Sequence, residues 1–208
     1  MTKCQYEPDR IREKLERLTR APRESWHERE HFENFELDEA GVLIPLTRRD
    51  DEYHVVFTHR SDELEKHSGE VSFPGGREEL EDNTLAETAL REAYEEIALH
   101  PSDVELYGAL SELPTVTGFR IVAYAGEFPQ PYELIANPDE IATIFEAPLS
   151  VLADPEIHRL EHREFGGKTY PVHFYDYDGH TIWGATGYLL HTFLEYLDLL
   201  EEIRNPEA

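Results

Sequence analysis

The residues of this chain best suited to chemistry lie in Phe73-Pro74-Gly75-Gly76 and, further on, Arg91-Glu92-Ala93-Tyr94-Glu95-Glu96. Carboxylates at i, i+3 and i+4 share one side of a helix, so Glu92, Glu95 and Glu96 project together. Three close carboxylates repel one another unless a cation sits among them. A hard divalent ion takes oxygen ligands of this kind, and such an ion held on a phosphate ester promotes hydrolysis. Spacing alone decides little in a chain with 45 Asp and Glu among 208 residues. Asp198, Glu201 and Glu202 repeat it, as do Glu78, Glu81 and Asp82. Context separates the first trio from these: a double glycine upstream, Arg91 directly before Glu92, and an apolar stripe on the same helix.

Positioning these groups requires a helix, a turn and strands to hold both. Thr84-Leu85-Ala86-Glu87 has the form of a capping box and predicts the helix start. Leu85, Ala86, Ala89, Leu90, Ala93 and Ile97 form its buried stripe, and Pro101 marks its end. Gly75 and Gly76 permit close approach of backbone to a ligand. Strands are expected over 40–46, 53–59, 70–73, 104–110, 119–128 and 140–146, with a helical turn over 148–153. Residues 168–177 and 180–183 read as a hairpin about Asp178-Gly179, and 187–203 as an amphipathic helix. Strands mixed with two substantial core helices predict an α/β sandwich. Residues 8–20 read as a short amphipathic helix, which makes 1–35 a helical appendage to a domain over 36–208.

Composition sets further limits. A formal charge of −26, with 15 Arg and only 4 Lys, disfavours a nucleic-acid partner. Self-repulsion at that charge fits an acidic surface adapted to high salt, the halophilic pattern. No apolar run approaches the roughly 20 residues needed to cross a bilayer, and no secretory leader is visible. The expected location is therefore cytoplasmic, without a membrane partner. Cys4, the one cysteine, rules out an internal disulfide and reads as an incidental thiol. A homodimer is one assembly that the sequence allows.

The run Gly76 … Arg91-Glu92-Ala93-Tyr94-Glu95-Glu96-Ile97-Ala98-Leu99 resembles the Nudix box, G-x5-E-x7-R-E-U-x-E-E-x-G-U. Ala93 is small at the first aliphatic position, the Gly76-to-Arg91 spacing is one residue longer, Asp82 stands where the first Glu falls, and Ala98 replaces the last Gly. Upstream, Phe57-Thr58-His59-Arg60-Ser61 … Gly69-Glu70-Val71-Ser72-Phe73-Pro74-Gly75-Gly76 resembles the signature of the coenzyme A pyrophosphatase branch of that family. Glu65 falls where that branch has Arg, with Lys66 adjacent. The resemblance extends over roughly residues 40 to 190.

The resemblance implies a Nudix-type α/β/α sandwich with a mixed sheet between helices. It implies that Glu92, Glu95 and Glu96 hold Mg²⁺ or Mn²⁺, with the backbone of Gly75 and Gly76 at the turn beside them. Arg91 would orient the carboxylates, and Arg60, Ser61 and Lys66 would contact the phosphates of a small nucleotide substrate. Glu140 is implied either as the base that deprotonates the attacking water or as an added metal ligand. The activity implied is hydrolysis of coenzyme A or an acyl derivative to 3′,5′-ADP and 4′-phosphopantetheine. Hydrolysis of another nucleoside diphosphate derivative, such as ADP-ribose or NADH, and a silent nucleotide-binding module are the rival readings. Tyr170, Tyr175, Tyr177, Trp183 and Tyr188 are expected in packing. His54, His59 and His67 lack zinc-like spacing and are not assigned as ligands.

Overall fold

The structure, a computed structural model, describes residues 6–18, 36–61, 69–165 and 167–200. Its main sheet is built on β1 (Asp38–Arg49), which pairs antiparallel with β2 (Glu52–Arg60) through its second half. The first half of β1 pairs antiparallel with β4 (Gly75–Arg77), following β3 (Val71–Ser72) at the edge of β2. On its other side β1 runs parallel to β6 (Phe119–Glu127), which pairs antiparallel with β5 (Glu105–Pro114). β7 (Ile141–Pro148) lies antiparallel along β2. One parallel pair among antiparallel ones makes the sheet mixed, as expected.

Alternation along the strands distributes side chains to two cores. Leu43 and Val56 face α2 (Leu85–Ile97), where Ala89, Ala93 and Ile97 are fully buried. Ile44, Leu46, Val55 and Phe57 face the opposite layer. That layer holds α1 (Pro8–Leu15) and, after the helical turn α3 (Leu149–Leu152), α4 (Gly184–Tyr196). The result is the expected α/β/α sandwich. α2 approaches β1 at Gly41, where a Cβ would lie 2.2 Å from the Leu85 carbonyl oxygen. No larger residue leaves room for the helix there.

α1 joins the core through Ile11 and Leu15. Arg12 pins it, donating to Glu105 at 2.7 and 2.9 Å and to Glu127 at 3.4 Å. Glu127 also accepts from the Tyr53 and Tyr107 hydroxyls, at 2.8 and 2.5 Å. The boundary expected after residue 35 falls beside residues 19–35, which lie outside the described residues.

A second sheet departs from the sequence expectation. β8 (His158–Phe165), β9 (Lys168–Tyr177) and β10 (His180–Ile182) form a three-stranded antiparallel unit. The hairpin β9–β10 is the expected one; β8 is not anticipated, because its sequence HRLEHREF gives almost no apolar alternation. The last helix begins at Gly184 rather than 187 and its span ends at Tyr196, before Asp198 with φ of 53°.

Candidate active site

The helix that carries the three glutamates is capped as its sequence predicts, with one difference. Glu87 N–H donates to Thr84 Oγ1 at 3.2 Å. The Glu87 carboxylate reaches back to the backbone and side-chain amides of Asn83, at 2.9 and 2.8 Å, one residue beyond the cap itself. The far end closes at Ala98, whose φ of 56° is left-handed. The amides of Ala98 and Leu99 then fold back onto the carbonyls of Tyr94 and Ala93.

The double-glycine turn is held against this helix from several directions. Phe73 is buried and stacks on Phe57 with ring centres 5.0 Å apart. Leu43 N–H donates to the Pro74 carbonyl at 2.9 Å. Gly76 then passes so close to Glu92 that a Cβ would meet its Oε1 at 2.5 Å. The loop after β6 closes the third side: Asn137 N–H donates to the Glu96 carbonyl at 2.9 Å, and Ser61 N–H to the Glu140 carbonyl at 2.8 Å. The end of β2, with Arg60 and Ser61, is thereby tied to Glu140.

Three carboxylates at helical spacing meet three different environments. The Glu95 side chain is 51% exposed, Glu92 16% and Glu96 only 2%. Burial pushes the Glu96 carboxyl up to about 8, against the pull of Arg60 and the Gly75 amide, and with the negative charges of Glu92 and Glu140 adding to the rise. Burial also raises Glu92, where Arg91 opposes the shift and Glu95 and Glu140 add to it. Arg60 Nη1 reaches Glu96 Oε1 at 3.4 Å, while Glu96 Oε2 and Arg60 Nε are buried without a hydrogen-bond partner among the described residues.

Arg91 links the cluster. Its Nη1 donates to Glu92 at 2.9 Å and Glu95 at 3.0 Å, and its Nη2 to the Arg77 carbonyl at 3.0 Å. Asp82 holds the other edge of the guanidinium, with Nη2 to Oδ2 at 3.1 Å and Nε to Oδ1 at 3.2 Å. Arg91 in turn keeps the Asp82 carboxyl below its ordinary range. Asp82 itself is fixed by Thr88 Oγ1 at 2.9 Å. Sequence reasoning noted the position of Asp82 but not this work; the signal available was an acid on the loop facing an arginine one helical turn below Thr88.

Among the described residues, Arg91 and Arg60 do not balance Asp82, Glu92, Glu95, Glu96 and Glu140. An orphaned oxygen on the most buried of these acids, with a second acid pressed against a glycine backbone, fits a hard divalent cation with oxygen ligands. The structure thus brings Glu92, Glu95, Glu96, Arg91, Arg60, Gly75, Gly76 and Glu140 together, with Ser61 alongside. Lys66 and Glu65 lie outside the described residues.

Comparison with known proteins follows the same outline. The NUDIX domain family matches residues 38–173. An uncharacterized Nudix hydrolase, NudL, of Yersinia enterocolitica is 37% identical over 162 residues, which cover 77% of this chain and 82% of that protein. Nudix hydrolase 15, mitochondrial, of Arabidopsis thaliana is 38% identical over 165 residues, 76% of this chain and 58% of that one. Among solved structures, a MutT/nudix family protein from Enterococcus faecalis superposes with a TM-score of 0.50 at 14% identity. That match covers 78% of this chain and 62% of the other, and it speaks to the fold alone.

Proposed function

Given that the chain belongs to the NUDIX family, we propose that it is a metal-dependent pyrophosphohydrolase acting on coenzyme A or its acyl derivatives. The observation that carries the hydrolytic part is the Glu96 carboxylate, buried to 2% exposure with one oxygen unpartnered among the described residues, beside Glu92 and the double-glycine turn. Glu92, Glu95 and Glu96, with the backbone of Gly76, would hold Mg²⁺ or Mn²⁺. Bound there, the cations would neutralise phosphoryl oxygens and make water more acidic.

The remaining work belongs to the chain. Arg91, clamped by Asp82, holds Glu92 and Glu95 in one orientation, so little reorganisation accompanies turnover. Arg60 sits at the end of β2 with its Nε unpartnered among the described residues and is assigned to the diphosphate of the substrate, as are Ser61 and Lys66. Glu140 is assigned to take the proton of the attacking water. Attack in line at phosphorus forms one P–O bond and breaks the bridging one, releasing 3′,5′-ADP and 4′-phosphopantetheine or its acyl form.

The coenzyme A assignment rests on the run from Phe57 to Gly76. The single departure, Glu65 in place of Arg, favours a second reading with the same chemistry on ADP-ribose or NADH, since an acid there repels a phosphate. Initial rates on coenzyme A, acetyl-coenzyme A, ADP-ribose and NADH, with Mg²⁺ and with Mn²⁺ in molar KCl, decide between them. A clear preference in kcat/KM for the coenzyme A pair is expected. Equal rates across the panel would reject the narrower assignment, and no hydrolysis of any of them with either ion would reject the enzyme.

A further inference from the structure

Three histidines far apart in sequence meet outside the carboxylate site. His158 starts β8, His173 lies on β9 and His191 on α4. A ring nitrogen from each lies within 4.8 Å of the other two. His158 Nε2 is 3.0 Å from His173 Nδ1, and the rings of His173 and His191 stack with centres 3.7 Å apart. We infer that His158, His173 and His191 form a binding site for a borderline-soft transition ion of the Zn²⁺ class, separate from the carboxylate site.

Three observations carry the inference. First, the donor set is right: imidazole nitrogen suits zinc, copper, nickel and cobalt, whereas the acids on α2 suit magnesium and manganese. Second, the distances are near those required. A metal–nitrogen bond of about 2.0–2.1 Å in a tetrahedron places ligand nitrogens about 3.3 Å apart. The closest pair, His158 Nε2 and His173 Nδ1, is hydrogen-bonded at 3.0 Å, so one of these rings moves its proton to its other nitrogen when both ligate, and the third nitrogen lies within 4.8 Å of both.

Third, an outer partner is present. Tyr175, fully buried, places its hydroxyl 2.8 Å from His191 Nδ1. With Nδ1–H donating to that hydroxyl, Nε2 carries the lone pair and the ring is fixed, as hydrogen-bonded partners of ligating histidines do. All three histidines are half-buried rather than sealed, so an ion has access, and three ligands leave a fourth position for water.

An ion there would join the two longer strands of the small sheet to the last helix, a part of the molecule that contributes none of the acids of the carboxylate site. The test uses the full chain, stripped with chelator and titrated with Co²⁺ as a spectroscopic probe at pH 7.5 in molar KCl. The wild type should develop the visible d–d absorption of a four-coordinate, nitrogen-ligated ion at one equivalent, and Zn²⁺ should displace it one for one. His173→Phe keeps the ring stack but removes a ligand, and should weaken Co²⁺ binding by at least about 100-fold, the upper end of what loss of an outer partner costs. His158→Phe provides a second deletion should the first fail to fold. Glu96→Gln should leave the absorption unchanged. Absence of the bands in the wild type would overturn the inference. So would bands that persist in a folded histidine variant but vanish in Glu96→Gln.

Discussion

At the scale of single residues, the acids proposed to hold a cation carry a cost in stability. Glu96 has its carboxyl raised to about 8 from an ordinary 4.5, so the folded metal-free protein holds a proton there that the unfolded chain has released. Its stability therefore falls as pH rises from about 4.5 to about 8. Glu96→Gln removes this penalty. Melts in EDTA at pH 8 should show a higher Tm for the variant than for the wild type, with the difference shrinking toward pH 5, while turnover drops by about 100-fold or more. A lower Tm at pH 8 would contradict the burial argument. Gly76→Ala acts on the neighbouring acid. Its Cβ would displace only the flexible end of Glu92, so metal-free stability should change little while activity at limiting Mn²⁺ falls about 10–100-fold. A Mn²⁺ titration of rate, paired with a melt, checks both halves.

At the scale of elements, the termini of α2 divide what the sequence announces from what it hides. Thr84 and Glu87 mark the start in the chain itself, and the Thr84 cap forms as written. The end is set by Ala98, a residue that local pattern never places in a left-handed conformation, and tertiary packing of Leu99 and Ile97 imposes it. An alanine held there costs about 1–2 kcal/mol relative to a right-handed position. Ala98→Gly should therefore stabilise the protein by about 1 kcal/mol, a rise of roughly 2–4 °C in Tm for a chain of this size; no rise in a thermal melt would show the strain to be relieved elsewhere. The glutamates and double glycine were legible because they are local and spaced by one helical turn. β8 was not, since its charged alternation, including Glu161 paired to both Arg159 and Arg163, belongs to a sheet with a solvated face. The histidine triad was out of reach for another reason: three separate elements bring it together, and no spacing in the chain records that.

At the scale of the whole molecule, charge dominates. Ion pairs such as Arg120 with Glu39 and Glu112, or Arg49 with Glu146, neutralise only part of a chain at −26. Salt shortens the reach of the remaining repulsion, to about 3 Å near 1 M. Tm should rise steadily between about 0.1 and 1 M KCl, whereas a flat profile would remove the case for a halophilic surface. Among the described residues no helix is long and apolar enough to cross a membrane.

The pinning of α1 by Arg12 bears on how the protein can be handled. The NUDIX family match spans residues 38–173, yet Ile11 and Leu15 before it and Leu190, Phe193 and Leu194 after it belong to the core on one face of the main sheet. A clone cut to that stretch would lose part of the cover over Leu46, Val55 and Phe57. Such a fragment should bind the dye ANS strongly and precipitate where the intact polypeptide stays in solution, the behaviour of a piece too short to close its own core.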